Sequence, residues 1–364
     1  PFISQETQGV FGKSSQEEME TLFQMNYLYR TNPRFTQQAL ERESEHLVEM
    51  VRNQDRSPNF LYSKKYKELL WRDHPRTRSW DLQMIDKIDL EVMRSSFKEV
   101  MNIDQQYVLV GNFSFNEVRS LVEKYIATLP NEAISDTLQH GEELFEGIIE
   151  ETVYLGSEEV ARVKMTIIQK LENRLNLSQL VAGYFFSRIV QVRLRKRLRE
   201  DLGGVYSVGF SGGDHVYPYN YHSFTLSFGC DPNRLEELYK ETLQLLKETL
   251  TEDFTEEEIE NTRQQLIRSY EEQLQKNKSW MNHLITAIQR LDTPDRIFRY
   301  IDEVKGLQKK NIQDFAHQML NLDHRLSLFW LPFEPEKDST GARKEQEIIE
   351  RKQESEKSDN QAMQ

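Results

Sequence analysis

Apolar residues recur at three- and four-residue spacing through most of this chain, interrupted by short β-branched runs. Met19, Leu22, Phe23, Met25, Leu28 and Tyr29 share one face of a helix predicted over 16–31, with Ser15 and Glu18 spaced as a capping box. A second helix follows Pro33 and runs through Leu40 to Val51. A third spans Leu90–Met101, with Val92, Met93, Phe97, Val100 and Met101 on one face. Tyr107-Val108-Leu109-Val110 reads as a short buried strand. Ser114 then opens a helix carrying Val118, Leu121, Val122 and Tyr125, which stops before Pro130.

Residues 131–143 are acidic and weakly patterned, as expected of a linker. Beyond them the runs at 152–155 and 163–168 are rich in β-branched residues and predict strands. A long helix is expected over about 175–200, then a strand from Tyr206 and another over 221–228. Helices follow near 233–250, 255–276, 279–290 and 309–320, and a last strand over 326–331. From Glu334 onward the chain is charged and free of aromatic residues, the pattern of a disordered tail or of a solvated helix between Lys344 and Lys357.

The two halves echo one another. Ile85-Asp86, a helix with Phe97, Asn102-Ile103-Asp104 and the run Tyr107–Val110 parallel Ile301-Asp302, a helix with Phe315, Asn321-Leu322-Asp323 and the run Leu326–Trp330. The expected class is therefore α+β, as two tandem homologous domains, each an antiparallel-rich sheet packed against helices. The domains would occupy 1–130 and 144–333, joined by the 131–143 linker and followed by the 334–364 tail.

A net charge of -13 over 364 residues argues against a nucleic-acid partner, which would need a positive field. One cysteine, Cys230, excludes an intramolecular disulfide and any CxxC knuckle. No apolar run approaches the ~18 residues of a membrane-spanning helix. Pro1-Phe2-Ile3 lacks an initiator methionine and a signal core and reads as a strand, so the chain is expected to be part of something longer.

Eight histidines are present, none in HExxH, HxxEH or HxxxH spacing. Arg42-Glu43-Ser44-Glu45-His46 copies the order of HxxEH with arginine at the first ligand position. His215 and His222 are expected as surface or edge-strand residues, and no metal site is expected in this chain. GxSxG, P-loop and GxGxxG motifs are also absent. Arg193, Arg195, Lys196, Arg197 and Arg199 cluster near the end of the long helix, where cations complement the helix dipole. Asn277 is expected to cap the next helix and Trp280 to anchor packing. Gly203-Gly204 reads as a helix stop requiring positive φ. Arg199 and Tyr206 flank that stop, two donors suited to a polar backbone or an anion.

The segment Leu198-Arg199-Glu200 through Gly204-Val205-Tyr206-Ser207-Val208 resembles the "LRE…G..YsV" pattern of the insulinase/pitrilysin (inverzincin) zinc metallopeptidases. Val108-Leu109-Val110-Gly111-Asn112-Phe113 with Thr128-Leu129-Pro130 resembles their "vvGnf…LP" pattern. Phe228-Gly229-Cys230-Asp231-Pro232, with Asn277 and Trp280, resembles the PqqL-like bacterial branch. The likeness covers roughly residues 1–333 and implies the C-terminal half of such an enzyme, with a metallopeptidase (LuxS/MPP-like) fold.

In that family four homologous domains form two halves around a chamber, and the zinc motif lies in the first. The resemblance thus implies zinc in an N-terminal catalytic half, peptide substrates and a bacterial periplasm or cell-envelope location. It implies that Tyr206 donates to the scissile carbonyl while Arg199 holds a neighbouring backbone carbonyl. This segment alone would be inactive. The alternative is a non-catalytic homologue serving as scaffold or peptide-binding subunit.

Overall fold

Strong caps set the helices of the first part of the chain. Thr36 accepts from the Ala39 N–H to open α2 (Gln37–Gln54). Ser57, followed by Pro58 in the first turn, opens α3 (Pro58–Leu70). Around them lie α1 (Met19–Thr31), α4 (Leu82–Asp86), α5 (Leu90–Asn102) and α6 (Phe115–Tyr125), the last opened by a Ser114–Glu117 capping box. Ser15 Oγ accepts from the Glu18 N–H at 3.3 Å, one arm of the box expected there. The computed structural model describes residues 1–4, 7–102, 105–129, 141–156, 159–290 and 292–332. The expected linker is described only from residue 141, and the charged tail from 334 lies outside the described residues.

The first part departs from expectation in two ways: α3 and α4 lie where no helix is expected, and strand pairing is sparse. Among the described residues before 130, β1 (Phe2–Ile3) and β2 (Gln8–Gly9) form the only strand pairing. Tyr107–Val110 is not paired as a strand, and its residues are exposed or half-buried. A four-residue apolar run has the same pattern whether or not a neighbouring strand exists to pair with it. The Tyr107 phenol instead donates to Gln105 Oε1 at 3.1 Å and meets Arg30.

The second part is built on one five-stranded sheet. Its strands are β3 (Ile148–Tyr154), β4 (Ala161–Lys170), β5 (Val205–His215), β6 (Tyr221–Cys230) and β7 (Arg325–Leu331). Their order is β3-β7-β4-β6-β5, with β3–β7 parallel and every other pair antiparallel. This is the mixed helix-and-sheet architecture that the alternating and helical patterns anticipate. Period-two alternation divides β4 between two cores. Ala161, Val163, Met165 and Ile167 join one cluster, and Ile168 joins another.

The first cluster lies under α7 (Leu177–Arg195), α8 (Leu235–Thr251), α11 (Arg296–Gly306) and α12 (Lys309–Met319). Phe186 is its hub, with ring centroids 5.2 Å from Phe224 and 6.3–6.4 Å from Phe210, Phe254 and Phe315. α9 (Glu256–Leu274) adds Ile259 to it, and α10 (Asn277–Gln289) packs on α9. Asn277 is not the cap of α10: it is the first helical residue and makes no capping bond, Lys276 preceding it. Trp280 does anchor the corner, donating to the Leu274 carbonyl at 2.7 Å with its ring against Phe298.

The second face of the sheet is covered by α3, which comes from the far side of the expected linker. Tyr62 donates to the Leu328 carbonyl at 2.8 Å and Tyr66 meets the Thr166 hydroxyl. Leu69, Leu70, Leu144 and Phe145 complete this smaller core. The two parts of the chain are therefore joined by packing as well as by sequence.

Candidate functional site

The Arg199–Tyr206 turn is assembled from the end of α7. Leu194 and Leu198 are fully buried and hold the helix down as it changes pitch into a π-helical turn, Lys196–Asp201. There the Leu202 N–H reaches back five residues to the Arg197 carbonyl at 3.1 Å, and the Gly204 N–H reaches the Leu198 carbonyl at 2.9 Å. Such wide turns recur at functional sites because they re-aim side chains without ending the helix.

The two glycines act differently. Gly203 adopts φ +57, the left-handed residue expected of the stop. Gly204 has no such backbone; a Cβ there would lie 2.5 Å from Leu238 Cδ2, so a close approach of α8 excludes any side chain. Arg234 closes the corner by donating to the Leu202 carbonyl at 3.1 Å.

The strand that follows is irregular where it carries the tyrosine. Val205 faces Cys230 and Val208 faces Phe228, so Tyr206 and Ser207 together oppose the single residue Gly229. This bulge, on an edge strand, leaves Tyr206 80% exposed. Just beyond it, the Gln191 carboxamide on α7 donates to the Val208 carbonyl at 2.8 Å and accepts from the Phe210 N–H. One side chain thereby makes both hydrogen bonds that a further strand would make. Arg199 is exposed on the other arm of the corner. Among the described residues neither the Arg199 guanidinium nor the Tyr206 phenol makes a hydrogen bond or ion pair, although the turn between them is held by the Leu202, Gly204 and Arg234 hydrogen bonds.

The basic cluster around Arg199 splits by helical face. Arg193 grips Glu258 at 2.7 and 2.8 Å and also donates to the Asp253 carbonyl at 3.1 Å. Arg197, one turn later, holds Glu241 at 3.1 Å and Glu248 at 3.0 Å. Their role is thus to tie α7 to α8 and α9, more specific than complementing a dipole. Burial opposes ionisation of Glu258, yet Arg193 and the Thr255 cap hold its carboxyl below the usual range. Arg195, Lys196 and Arg199 remain on the exposed face, unpaired among the described residues.

The histidines correct one expectation. His222 is no surface residue: it is 5% exposed, edge-on to Phe224 at 4.7 Å and to Phe315 at 5.2 Å. Neither ring nitrogen has a partner, and burial, aided by His215, pushes its pKa down to about 4. Two buried neighbours share its situation, Ser187 Oγ and one oxygen of Asp214 also lacking partners, while Arg290 pairs with the other. His215 stacks on Tyr221 and bonds Ser223 at 2.9 Å. Successive strand residues point to opposite faces, so His215 does not share the His222 pocket. Among the described residues no group of three or more His, Cys, Asp or Glu is gathered as a metal site. Gln191, Asp214 and Arg290 carry no motif, and sequence reading passes over them.

Residues 102–266 match the family model of the peptidase M16 inactive domain. The chain is similar to the probable zinc protease PqqL of Haemophilus influenzae, 21% identical over 329 residues, covering 89% of this chain and 34% of that protein. Among solved structures it is similar to the periplasmic protease PqqL from Escherichia coli, with a TM-score of 0.76, 18% identity, and coverage of 87% of this chain and 35% of that one. It is also similar to a peptidase M16 inactive domain from Pseudomonas fluorescens, with a TM-score of 0.72, 16% identity, and coverage of 89% and 77%. The chain spans about a third of the length of its Haemophilus relative. At these identities the solved structures show a shared fold. The resemblance read from the Arg–Tyr and strand–helix motifs is borne out.

Proposed function

We propose that this chain, whose residues 102–266 match the peptidase M16 inactive domain and which is similar to a probable zinc protease, is the substrate-binding half of a zinc metalloendopeptidase. The observation that carries the reading is the corner itself. It is braced by Gln191, Arg234, Leu238 and the Arg197 ion pairs, and it presents two polar groups that have no partner among the described residues. Rigid support for free donors is what recognition of an external acceptor requires.

The zinc of such an enzyme does not fit this chain, since no three ligand-type side chains converge among the described residues. It belongs to a partner catalytic half, in the same polypeptide or another, and the steps assigned here are those of this chain's own donors. Tyr206 donates its phenolic O–H to the oxygen of the scissile carbonyl as that oxygen gains negative charge. Arg199 donates to an adjacent backbone carbonyl of the peptide and holds its direction. Both groups read backbone, so they select for a peptide and not for a particular side chain. One preorganised donor of this kind contributes about 10²–10³ in rate. The Escherichia coli relative is described as periplasmic, and we assign this chain's parent to the bacterial cell envelope on that likeness.

The test is reconstitution. Peptide hydrolysis is measured for the catalytic half alone, for this chain alone and for the two together. The proposal expects turnover only from the combination. Undiminished hydrolysis by the catalytic half alone would leave this chain a scaffold.

A further inference from the structure

The face of the sheet turned away from α7 is divided by the edge of α3. Over β7 and β4 it is covered: Tyr62 lies against Trp330, and Tyr66 meets Thr166. Beyond, on β6 and β5, Ser211, Ser227 and Gly209 are exposed and Thr225 is half-buried, a floor of hydroxyls and glycine. Lys164 stands at the boundary. It pairs in register with Ser227, and Ser227 with Gly209, so the three form one row across the face.

The cations around this row differ in what they hold. Arg162 donates to Asn59 at 2.7 Å and stacks on Trp330. Lys65 pairs with Glu151 at 3.2 Å, and Lys170 reaches Glu146 at 3.7 Å. Lys164 has only the Tyr66 ring, 3.7 Å from its ammonium. Among the described residues it has no carboxylate partner and no hydrogen-bond acceptor. An aromatic face attracts a cation but leaves the ammonium's three N–H donors unused. The side chain is half-buried, and burial together with the nearby Lys67 charge lowers its pKa. A partly desolvated cation beside a second cation is locally complementary to a carboxylate from outside.

Resting on the peptide-binding reading above, we propose that Lys164 is a recognition site for an acidic side chain, Glu or Asp, of a peptide lying extended over Ser227 between Tyr206 and Lys164. Two strand spacings separate β4 from β5, about 10 Å, and Gly209 lies three residues beyond Tyr206. The diagonal corresponds to about four residues of extended peptide. The acidic residue thus falls roughly four positions from the bond held at Tyr206.

The test uses this chain and fluorescein-labelled ten-residue Ala/Ser/Thr peptides, each carrying one Glu at a different position, with Gln counterparts. Binding is followed by anisotropy at low and high salt. At the best position the Glu peptide is expected to bind about tenfold more tightly than its Gln counterpart, with the difference reduced by salt. Lys164→Met should abolish that preference while leaving the Gln peptide's affinity unchanged, which also certifies the fold; Lys164→Arg should keep it. Equal binding of Glu and Gln peptides to the unaltered chain, a comparison needing no variant, overturns the Lys164 site and leaves the peptide-binding reading standing. A preference that survives Lys164→Met overturns it as well. Failure of every peptide to bind overturns both.

Discussion

Acidification should destabilise this fold most strongly through His222, the histidine with the largest shift. Its ring lies between Phe224 and Phe315, and both nitrogens lack partners. The groups facing it are Ser187 from α7 and Asp214 from β5, the latter paired with Arg290 from the end of α10; the neighbouring His215 adds a repulsive charge. The folded chain therefore takes a proton at about pH 4, against an ordinary 6.5. As pH falls through 6.5 the unfolded chain binds that proton while the folded chain does not, so stability is lost on acidification and the loss levels off near pH 4. At ~1.4 kcal/mol per unit the whole window amounts to about 3 kcal/mol, of which about 2 is gone by pH 5. His215 and His283 are lowered by burial too and act in the same direction, so the informative quantity is a difference between proteins. Urea unfolding at pH 7, 6 and 5 should show the unaltered chain losing about 2 kcal/mol more than His222→Leu between pH 7 and 5. Carboxylates held low, such as Glu258, lose their contribution only as pH falls through their ordinary value of 4.5, below the pH 5 end of the series, and do so alike in both proteins. Identical pH dependence in the two proteins would refute the assignment.

The corner around the candidate site gives two further expectations. Gln191→Leu removes both edge hydrogen bonds, leaving the Val208 carbonyl and Phe210 N–H unsatisfied, and should cost about 1–3 kcal/mol; hydrogen exchange at Phe210 should accelerate, and an unaltered protection there would contradict the edge role. Gly203→Asn should be tolerated because asparagine accepts the left-handed region. Gly204→Ala should cost about 1–3 kcal/mol through overpacking against Leu238; thermal melts of the two variants that coincide would count against the separate roles.

Much of this architecture can be read from pattern alone. In residues 144–332 a β-branched run locates β4, whose two faces both find apolar cover, alternation locates β6, which is largely covered on one face, and helical spacing locates α7 through α9. Residues 107–110 defeat the same reasoning, because a strand is defined by its neighbour and an apolar run does not carry one. His222 defeats it for a related reason. Its burial comes from Phe315, more than ninety residues away, and from Gly212, which leaves room beside the ring. Gly203, Arg199 and Tyr206 were legible because a turn is local chemistry. What holds them was not: Gln191, Arg234 and Leu238 come from α7, the turn before α8 and α8, and their identities are ordinary until the fold brings them together.

The central claim is that Tyr206 serves a substrate and not the fold. Its ring is largely exposed and its hydroxyl unbonded among the described residues, so Tyr206→Phe should leave the melting temperature unchanged. In the reconstituted enzyme, kcat for a peptide substrate should nonetheless fall about 100-fold or more with little change in KM, because the donor acts as charge develops. An unchanged kcat, in an enzyme whose hydrolysis still depends on this chain, would contradict the account.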